Sequence, residues 1–86
     1  MVVYVREAAP EDRAVGVVTS RRIGGAVVRN RARRLLREAY RLNKHKLKPN
    51  LQIVMVARTA INGKRLQEVE ANVVQLLEAA GAIKKP

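Results

Sequence analysis

The sequence predicts one small α+β domain, residues 1–86, in which helices cover a small sheet. Two observations support this fold class. A chain of 86 residues has room for a single hydrophobic core. Strand-like and helical patterns follow one another in the order β-β-α-β-α, and two helices on a small sheet make an α+β fold. Aromatic residues are scarce, so the core must be built from aliphatic side chains.

The three predicted strands are runs of β-branched and apolar residues. They span Val2 to Arg6, Ala14 to Ser20 and Leu51 to Arg58, and the last is the longest and most apolar. Because a short turn around Pro10 joins the first two, we expect the second strand to run antiparallel to the first through that loop.

The first helix is predicted over residues 26–43, after Gly24-Gly25 interrupts the preceding strand. Its apolar residues recur at steps of four and three, which places them on one narrow stripe. This stripe must face the sheet, with Leu36 and Tyr40 on its shoulder. It consists of Val28, Ala32, Leu35, Ala39 and Leu42.

The second helix is predicted over about residues 64–80. Its apolar pattern begins at Leu66 and alternates with polar residues, as in an amphipathic helix that covers a sheet. Asn62 is a candidate N-cap, and Gly81 stands where glycine commonly ends a helix. We assign this helix no function.

The charge of the chain is concentrated in one segment. The whole sequence has 18 Lys and Arg against 7 Asp and Glu, a net charge of +11. Residues 21–48 contain eleven of the basic residues and a single acid, Glu38, whereas the rest of the chain is nearly neutral. A dense local field of one sign opposes compaction, so a polyanion is the simplest partner.

Arginines cover the side of the first helix that lies opposite the apolar stripe. A guanidinium is planar and always charged, and it can hold phosphate oxygens in bidentate fashion. Only Glu38 can relieve the repulsion among them locally. A solvated basic face is the alternative, which the one-sided clustering and the choice of arginine disfavour. The side carries Asn30, Arg34, Arg37 and Arg41, with Arg33 beside them and Arg29 and Arg31 on the two flanks.

Several functions are excluded by what the sequence lacks. No apolar run approaches the ~20 residues of a membrane span, and the first residues do not resemble a secretory signal, so we expect a soluble, cytoplasmic protein. The absence of cysteine excludes thiol catalysis and thiolate zinc sites. Because no nucleophile-base pair or carboxylate cluster is evident, we expect no catalytic residue and no metal bound by the protein alone. His45, in a basic connector, is expected to be solvated.

A family resemblance is carried by residues 15–41, VGVVTSRRIGGAVVRNRARRLLREAYR. The matching elements are a strand that ends in Ser and two basic residues, then Ile-Gly, Ala-Val and an Arg-Asn-Arg triplet that opens a basic helix. They are Ser20, Arg21, Arg22, Ile23, Gly24, Ala26, Val27, Arg29, Asn30 and Arg31. In this order, and followed by an apolar strand and an amphipathic helix, they closely resemble the bacterial ribonuclease P protein component.

The resemblance implies a fold and a function. The fold would be ribosomal-protein-S5-domain-2-like, with a left-handed crossover around the basic helix, against the usual right-handed rule. The protein would be the accessory subunit of a ribonucleoprotein endonuclease that removes the 5′ leader from precursor tRNA. The catalytic RNA would perform the hydrolysis with Mg²⁺ that it mainly holds itself. The protein would bind that RNA and the precursor tRNA, as a monomer in a 1:1 complex.

The resemblance also assigns roles to residues. Tyr4 matches a position that lines the leader cleft, and Val2 and Arg6 share its strand face by alternation. Family members usually begin with a further N-terminal helix, for which this sequence shows no counterpart. We therefore expect the cleft to lack one wall and the sheet face to be exposed. The residues expected to contact RNA are Arg29, Asn30, Arg31, Arg34 and Arg37, with Arg33 and Arg41 on the same face and Arg21 and Arg22 at the strand end.

Alternatives remain open for some of these residues and for the function. Arg21 and Arg22 could be solvated loop charges, Asn30 a polar residue of the first helical turn, and Tyr4 a core aromatic, whereas Tyr40 is expected to pack beside the stripe. A ribosomal-type structural RNA-binding protein would have a similar composition. A basic DNA-binding domain would place the first helix in the major groove, and a single base-reading candidate, Asn30, argues against it.

Overall fold

The five predicted elements are present in the predicted order, in a computed structural model that describes residues 1–84. The order β-β-α-β-α is confirmed, and short 3₁₀ turns join the elements. The strands and helices are β1 (Val2–Glu7), β2 (Ala14–Thr19), α1 (Ala26–Asn43), β3 (Leu51–Ala57) and α2 (Leu66–Ala79). Within these residues neither helix has the length and apolar character needed to cross a bilayer.

The sheet has three strands, with β3 in the centre. β1 pairs with β3 antiparallel and β2 pairs with β3 parallel. β1 and β2 therefore run in opposite directions, as expected, but they are separated by β3 and do not form a hairpin. The most apolar strand takes the central position because only there are both of its edges paired. β2, α1 and β3 thus form a crossover between parallel neighbours, and its left hand stays a prediction from the resemblance.

Both helices lie on one face of the sheet. Along β3, Ile53, Met55 and Ala57 alternate toward the helices and are buried, whereas Val54 points to the opposite face. α2 contributes Val69, Val73 and Leu77 to the same core. The opposite face of the sheet carries no helix within residues 1–84.

The buried stripe of α1 is rotated from the one that the sequence predicts. Leu36, expected on the shoulder, is fully buried, while the predicted stripe ends Val28 and Leu42 are each 38% exposed. Asn43 joins the buried side because its amide donates to the Ala39 carbonyl at 2.9 Å and to the Glu70 carboxylate at 3.2 Å. A polar residue can lie in a core when its hydrogen bonds are satisfied. The observed stripe is Ala32, Leu36, Ala39 and Asn43.

Of the two signals predicted for the ends of α2, only the one at the C-terminal end is found in the structure. The prediction that Asn62 caps the helix is wrong, because Arg65 holds the N-cap position. The Asn62 amide instead donates to the Ile23 carbonyl at 2.9 Å. The predicted stop at Gly81 is confirmed. Gly81 has φ +77°, and the Ala82 amide that follows it donates to a carbonyl of the last helical turn.

Candidate nucleic-acid interface

The start of α1 is fixed by a short turn that precedes it. The Ser20 hydroxyl accepts a hydrogen bond from the Arg22 amide at 3.1 Å, and Ile23 is buried in the core. Gly24 has φ +147° and ψ −162°, a conformation that is almost exclusive to glycine. A Cβ at this position would lie 3.1 Å from the Cβ of Val28. The turn therefore requires glycine and sets the direction in which α1 leaves the sheet.

The arginine face, defined as Asn30, Arg34, Arg37 and Arg41, points away from the sheet and is exposed along its whole length. Arg34 and Arg37 form its central ridge, because each of them lines the two shallow grooves that run on either side of the helix. Within residues 1–84 neither of these two guanidinium groups has a carboxylate within ion-pair distance. The central charges of the face are therefore available to a polyanion.

Arg31 and Arg33 hold α1 to its neighbours in the fold. Arg31 donates to the Lys64 carbonyl at 2.6 Å, just before α2, and Arg33 donates to the Thr19 hydroxyl at 3.2 Å, at the end of β2. Arg29 and Arg33 are half-buried because the rotated stripe brings them toward the sheet. The sequence predicts that Arg33 lies on the arginine face. In the structure it lies at the edge of that face. The sequence pattern does not indicate that Thr19 and Lys64 would accept these hydrogen bonds.

Glu38 neutralises one end of the arginine face. Its carboxylate accepts hydrogen bonds from Arg41, including one from Nε at 3.0 Å, in an exposed ion pair. The hydrogen bond from the Arg41 guanidinium lowers the pKa of Glu38, and the same contact raises that of Arg41. The relief of repulsion expected from Glu38 is therefore directed at Arg41, and within residues 1–84 the charges of Arg34 and Arg37 stay uncompensated.

Arg21 and Arg22 extend the basic surface beyond the helix. Both are exposed in the 3₁₀ turn Arg21–Ile23, directly before the first turn of α1. Among residues 1–84 they have no carboxylate partner. The structure thus places them next to the start of the arginine face, where they can reach the same polyanion.

The open face of the sheet carries the three predicted cleft residues. Val2, Tyr4 and Arg6 share this face, where Tyr4 lies opposite Val54 and Arg6 donates through Nε to Gln52 at 2.5 Å. Tyr4 is 59% exposed, so it is not a core aromatic, and Val18 on the same face is 50% exposed. Among residues 1–84 this face of the sheet is exposed. Because α1 packs on the other side of the sheet, these residues are not brought together with the arginine face.

Few groups in the described residues could take part in catalysis or metal binding. Between residues 1 and 84 no three His, Asp or Glu side chains converge on a position that could hold a metal ion. His45 is exposed, and Tyr40 packs against the core beside the α1 stripe, as expected for both. The arrangement can bind anions and stack on bases.

Comparison with known proteins identifies the family. The sequence model of the family described as ribonuclease P matches residues 1–81. The chain belongs to the ribonuclease P protein family. The ribonuclease P protein component of Clostridium acetobutylicum is 37% identical over 83 residues, which cover 96% of this chain and 70% of that protein. That of Dictyoglomus turgidum is 37% identical over 86 residues, covering 98% of this chain and 71% of that one.

Solved structures of ribonuclease P proteins share the fold. A Staphylococcus aureus RNase P protein mutant with defective mRNA degradation activity superposes with a TM-score of 0.79 at 25% identity, covering 94% of this chain and 69% of that one. The RNase P protein from Thermotoga maritima superposes with a TM-score of 0.78 at 27% identity, covering 90% and 74%. Membership in the ribonuclease P protein family supports a role in tRNA 5′ processing and implies a partner RNA subunit.

Proposed function

We propose that this chain is the protein subunit of a ribonuclease P that binds the catalytic RNA through the arginine face and assists removal of the 5′ leader from precursor tRNA. One observation carries the proposal. A helix anchored by a buried aliphatic stripe turns Arg34 and Arg37 outward, and no carboxylate among residues 1–84 neutralises them. Family membership supports RNA as the polyanion that they meet.

The arginine face suits an RNA backbone. The guanidinium groups of Arg34 and Arg37 would each hold phosphate oxygens, which positions the protein without reading sequence. Asn30 lies in the same groove as Arg34, and its amide can bond a base edge or a 2′-hydroxyl. Arg21 and Arg22 would extend these contacts past the helix start.

The open sheet face suits the single-stranded leader. Tyr4 offers an exposed ring on which an unpaired base can stack, for ~1–3 kcal/mol. Val2 and Val54 supply apolar surface beside the ring, and Arg6 supplies a positive charge at the edge. The leader and the catalytic RNA would therefore bind on opposite sides of the sheet.

The hydrolysis itself is assigned to the RNA. In the proposed complex Mg²⁺, held mainly by the RNA, assists the cleavage of the phosphodiester bond. The protein's own contribution is binding: its cationic surface reduces the repulsion between two RNA molecules and so lowers the salt and Mg²⁺ needed for their association. We propose that it acts in the cytoplasm as a monomer in a 1:1 complex with the RNA.

Reconstitution tests the proposed function. The chain, alone and fused behind the N-terminal helix of a longer relative, is added to a bacterial ribonuclease P RNA at low Mg²⁺, and cleavage of precursor tRNA is measured. We expect rescue by the wild-type protein and little rescue by the double variant Arg34→Ala/Arg37→Ala. A matched variant that removes two exposed charges elsewhere, Lys46→Ala/Arg58→Ala, should rescue normally. No rescue by either wild-type form would overturn the ribonuclease P function.

The leader contact is tested separately. Tyr4→Ala should weaken binding of precursor tRNA in the complex by ~1–3 kcal/mol and leave binding of mature tRNA, which has no leader, unchanged. Tyr4→Phe keeps the ring and should bind both like the wild type. Equal losses for the two tRNAs, or none, would remove Tyr4 from the leader site.

A further inference from the structure

A second basic cleft lies at the end of the molecule that is remote from the start of α1. It is an open depression of about 740 Å³ between the end of α1, the connector to β3 and the start of β2. Apolar side chains form its floor, among them Tyr40, Leu47 and Leu51. Its rim carries the basic residues Arg13, Lys44, His45, Lys48 and Lys84.

The rim is held in place by the backbone. The Lys48 amide donates to the Ala82 carbonyl at 2.8 Å, and the Lys84 amide donates to the Lys46 carbonyl at 2.8 Å. Leu47, which lies between these two hydrogen bonds, forms a bridge with Ile83 and is buried. The connector and the segment after α2 are therefore joined, and they present lysines from two distant parts of the sequence to one cleft.

The charge of the cleft has no compensating carboxylate within the described residues. Among residues 1–84 no Asp or Glu lines it, and none lies within ion-pair distance of its rim residues. The acids nearest in sequence, Glu11 and Asp12, lie in the turn before Arg13 and do not line the cleft. The four cations around the depression, Arg13, Lys44, Lys48 and Lys84, repel each other, and a bound polyanion removes that repulsion.

The combination of a basic rim and an apolar floor is that of sites for single-stranded nucleic acid, in which phosphates meet cations while a base lies on apolar or aromatic side chains. We propose that this cleft is a second RNA-binding site that takes an unpaired nucleotide, with the base over Tyr40 and Leu47 and the phosphates against Lys44 and Lys48. The proposal rests on RNA being the partner of the arginine face. α1 has 18 residues, about 27 Å at 1.5 Å per residue, so this site would meet a different RNA segment from the start of the helix.

Directed cleavage of the RNA tests where the cleft binds. Because the chain has no cysteine, a single introduced cysteine can carry an iron chelate that cuts nearby RNA. The labelled variants are Pro49→Cys in the cleft, Val27→Cys beside the arginine face, and Ala71→Cys in an acidic groove on α2 as the control. In a complex with ribonuclease P RNA, we expect the first two to cut separate RNA segments and the control to cut neither above background.

Removal of charge tests whether the rim binds phosphate. Lys44→Ala/Lys48→Ala should weaken RNA binding about tenfold or more and reduce the log–log salt slope by ~1.4–1.8, the value for two phosphate contacts. The control Lys46→Ala/Arg58→Ala removes two charges outside the cleft, since Lys46 lines the groove with Glu70 and Glu78. All four side chains are exposed, so folding should be preserved.

The outcomes separate this proposal from the proposed function. If the cleft variant binds like the control and Pro49→Cys cuts no more than Ala71→Cys, the second site is overturned while the arginine face stands. If Val27→Cys also fails to cut and Arg34→Ala/Arg37→Ala also binds like the control, both proposals are overturned.

Discussion

The two helices cover the same face of the same sheet, yet their outward surfaces differ. Each buries a short, mainly aliphatic stripe, which contains Leu36 in α1 and Leu77 in α2. The outward side of α1 is the arginine face, with one acid in its neighbourhood. The exposed residues of α2 are instead neutral or acidic: Gln67, Glu68, Ala71, Gln75, Glu78 and Ala79.

This difference separates what the fold requires from what the partner requires. A helix that covers a sheet needs its buried stripe, and α2 shows that the outward side can be neutral or acidic without loss of the fold. The like charges of α1 at i+3 and i+4 each cost an isolated helix ~0.2–0.5 kcal/mol. Residues that the fold does not need and that oppose helix formation are therefore best explained by the RNA partner.

The largest expected effect is on stability and should be the same for the two helices. Leu36 and Leu77 are both fully buried, so Leu36→Ala and Leu77→Ala should each reduce the free energy of unfolding by about 2–5 kcal/mol. Urea denaturation measures both. A loss of about 0.5 kcal/mol or less at either position would show that the two helices do not anchor the domain equally.

The start of each helix should respond differently to the loss of a glycine. Gly24, before α1, combines a glycine-only conformation with a close approach to Val28, whereas Gly63, before α2, has φ +79° and open space around its Cα. Gly24→Ala should therefore cost about 1–3 kcal/mol in stability, and Gly63→Ala should cost less. Equal losses by thermal denaturation would contradict the assigned role of the turn at Gly24.

A smaller effect is expected from the single acid beside the arginine face. Glu38→Gln keeps the shape of the side chain and removes the ion pair with Arg41. RNA affinity should rise a few-fold, and the log–log salt slope should steepen by up to ~0.7–0.9, because one more guanidinium becomes available to phosphate. Glu68→Gln on α2 is the matched control and should change neither. Weaker binding by Glu38→Gln would show that the pair positions Arg41 for RNA.

The smallest effect is the pH dependence of the same ion pair. The hydrogen bond from Arg41 lowers the pKa of Glu38 below its ordinary value of 4.5. A lowered pKa in the folded state means that the stabilisation is fully present above pH 4.5 and is lost as the pH falls through the lowered pKa. The wild type should be slightly more stable than Glu38→Gln near neutral pH, and the difference should disappear in acid. A difference that grows as the pH falls would contradict this assignment.

The sequence predicts the positions of the helices and strands better than it predicts how the strands pair. The limits of α1 follow from Gly24-Gly25 and from its apolar spacing, both of which are local signals. The pairing of β1 with β3, and not with β2, depends on a strand that begins at Leu51, far beyond the loop at Pro10. A short loop between β1 and β2 carries no information about a later strand that enters between them.

The residues of the arginine face could be predicted from the sequence almost completely. The contacts that fix the orientation of α1 could not. Helical spacing places Arg34, Arg37 and Arg41 on one side whatever the helix packs against. The position of the buried stripe depends on tertiary contacts, which include the core packing of Leu36 and the hydrogen bond from Asn43 to Glu70 on α2. That rotation half-buries Arg29 and Arg33. The second basic cleft escaped prediction because the connector that carries Lys48 and the segment that carries Lys84 are hydrogen-bonded only in the folded chain.

The salt dependence of RNA binding tests the role of the arginine face most directly. The binding constant for ribonuclease P RNA is measured over a range of salt concentrations for the wild type, Arg34→Ala and Arg37→Ala. Each substitution should flatten the log–log slope by ~0.7–0.9, the value for one phosphate contact. Wild-type slopes in both variants would show that the centre of the arginine face does not touch RNA.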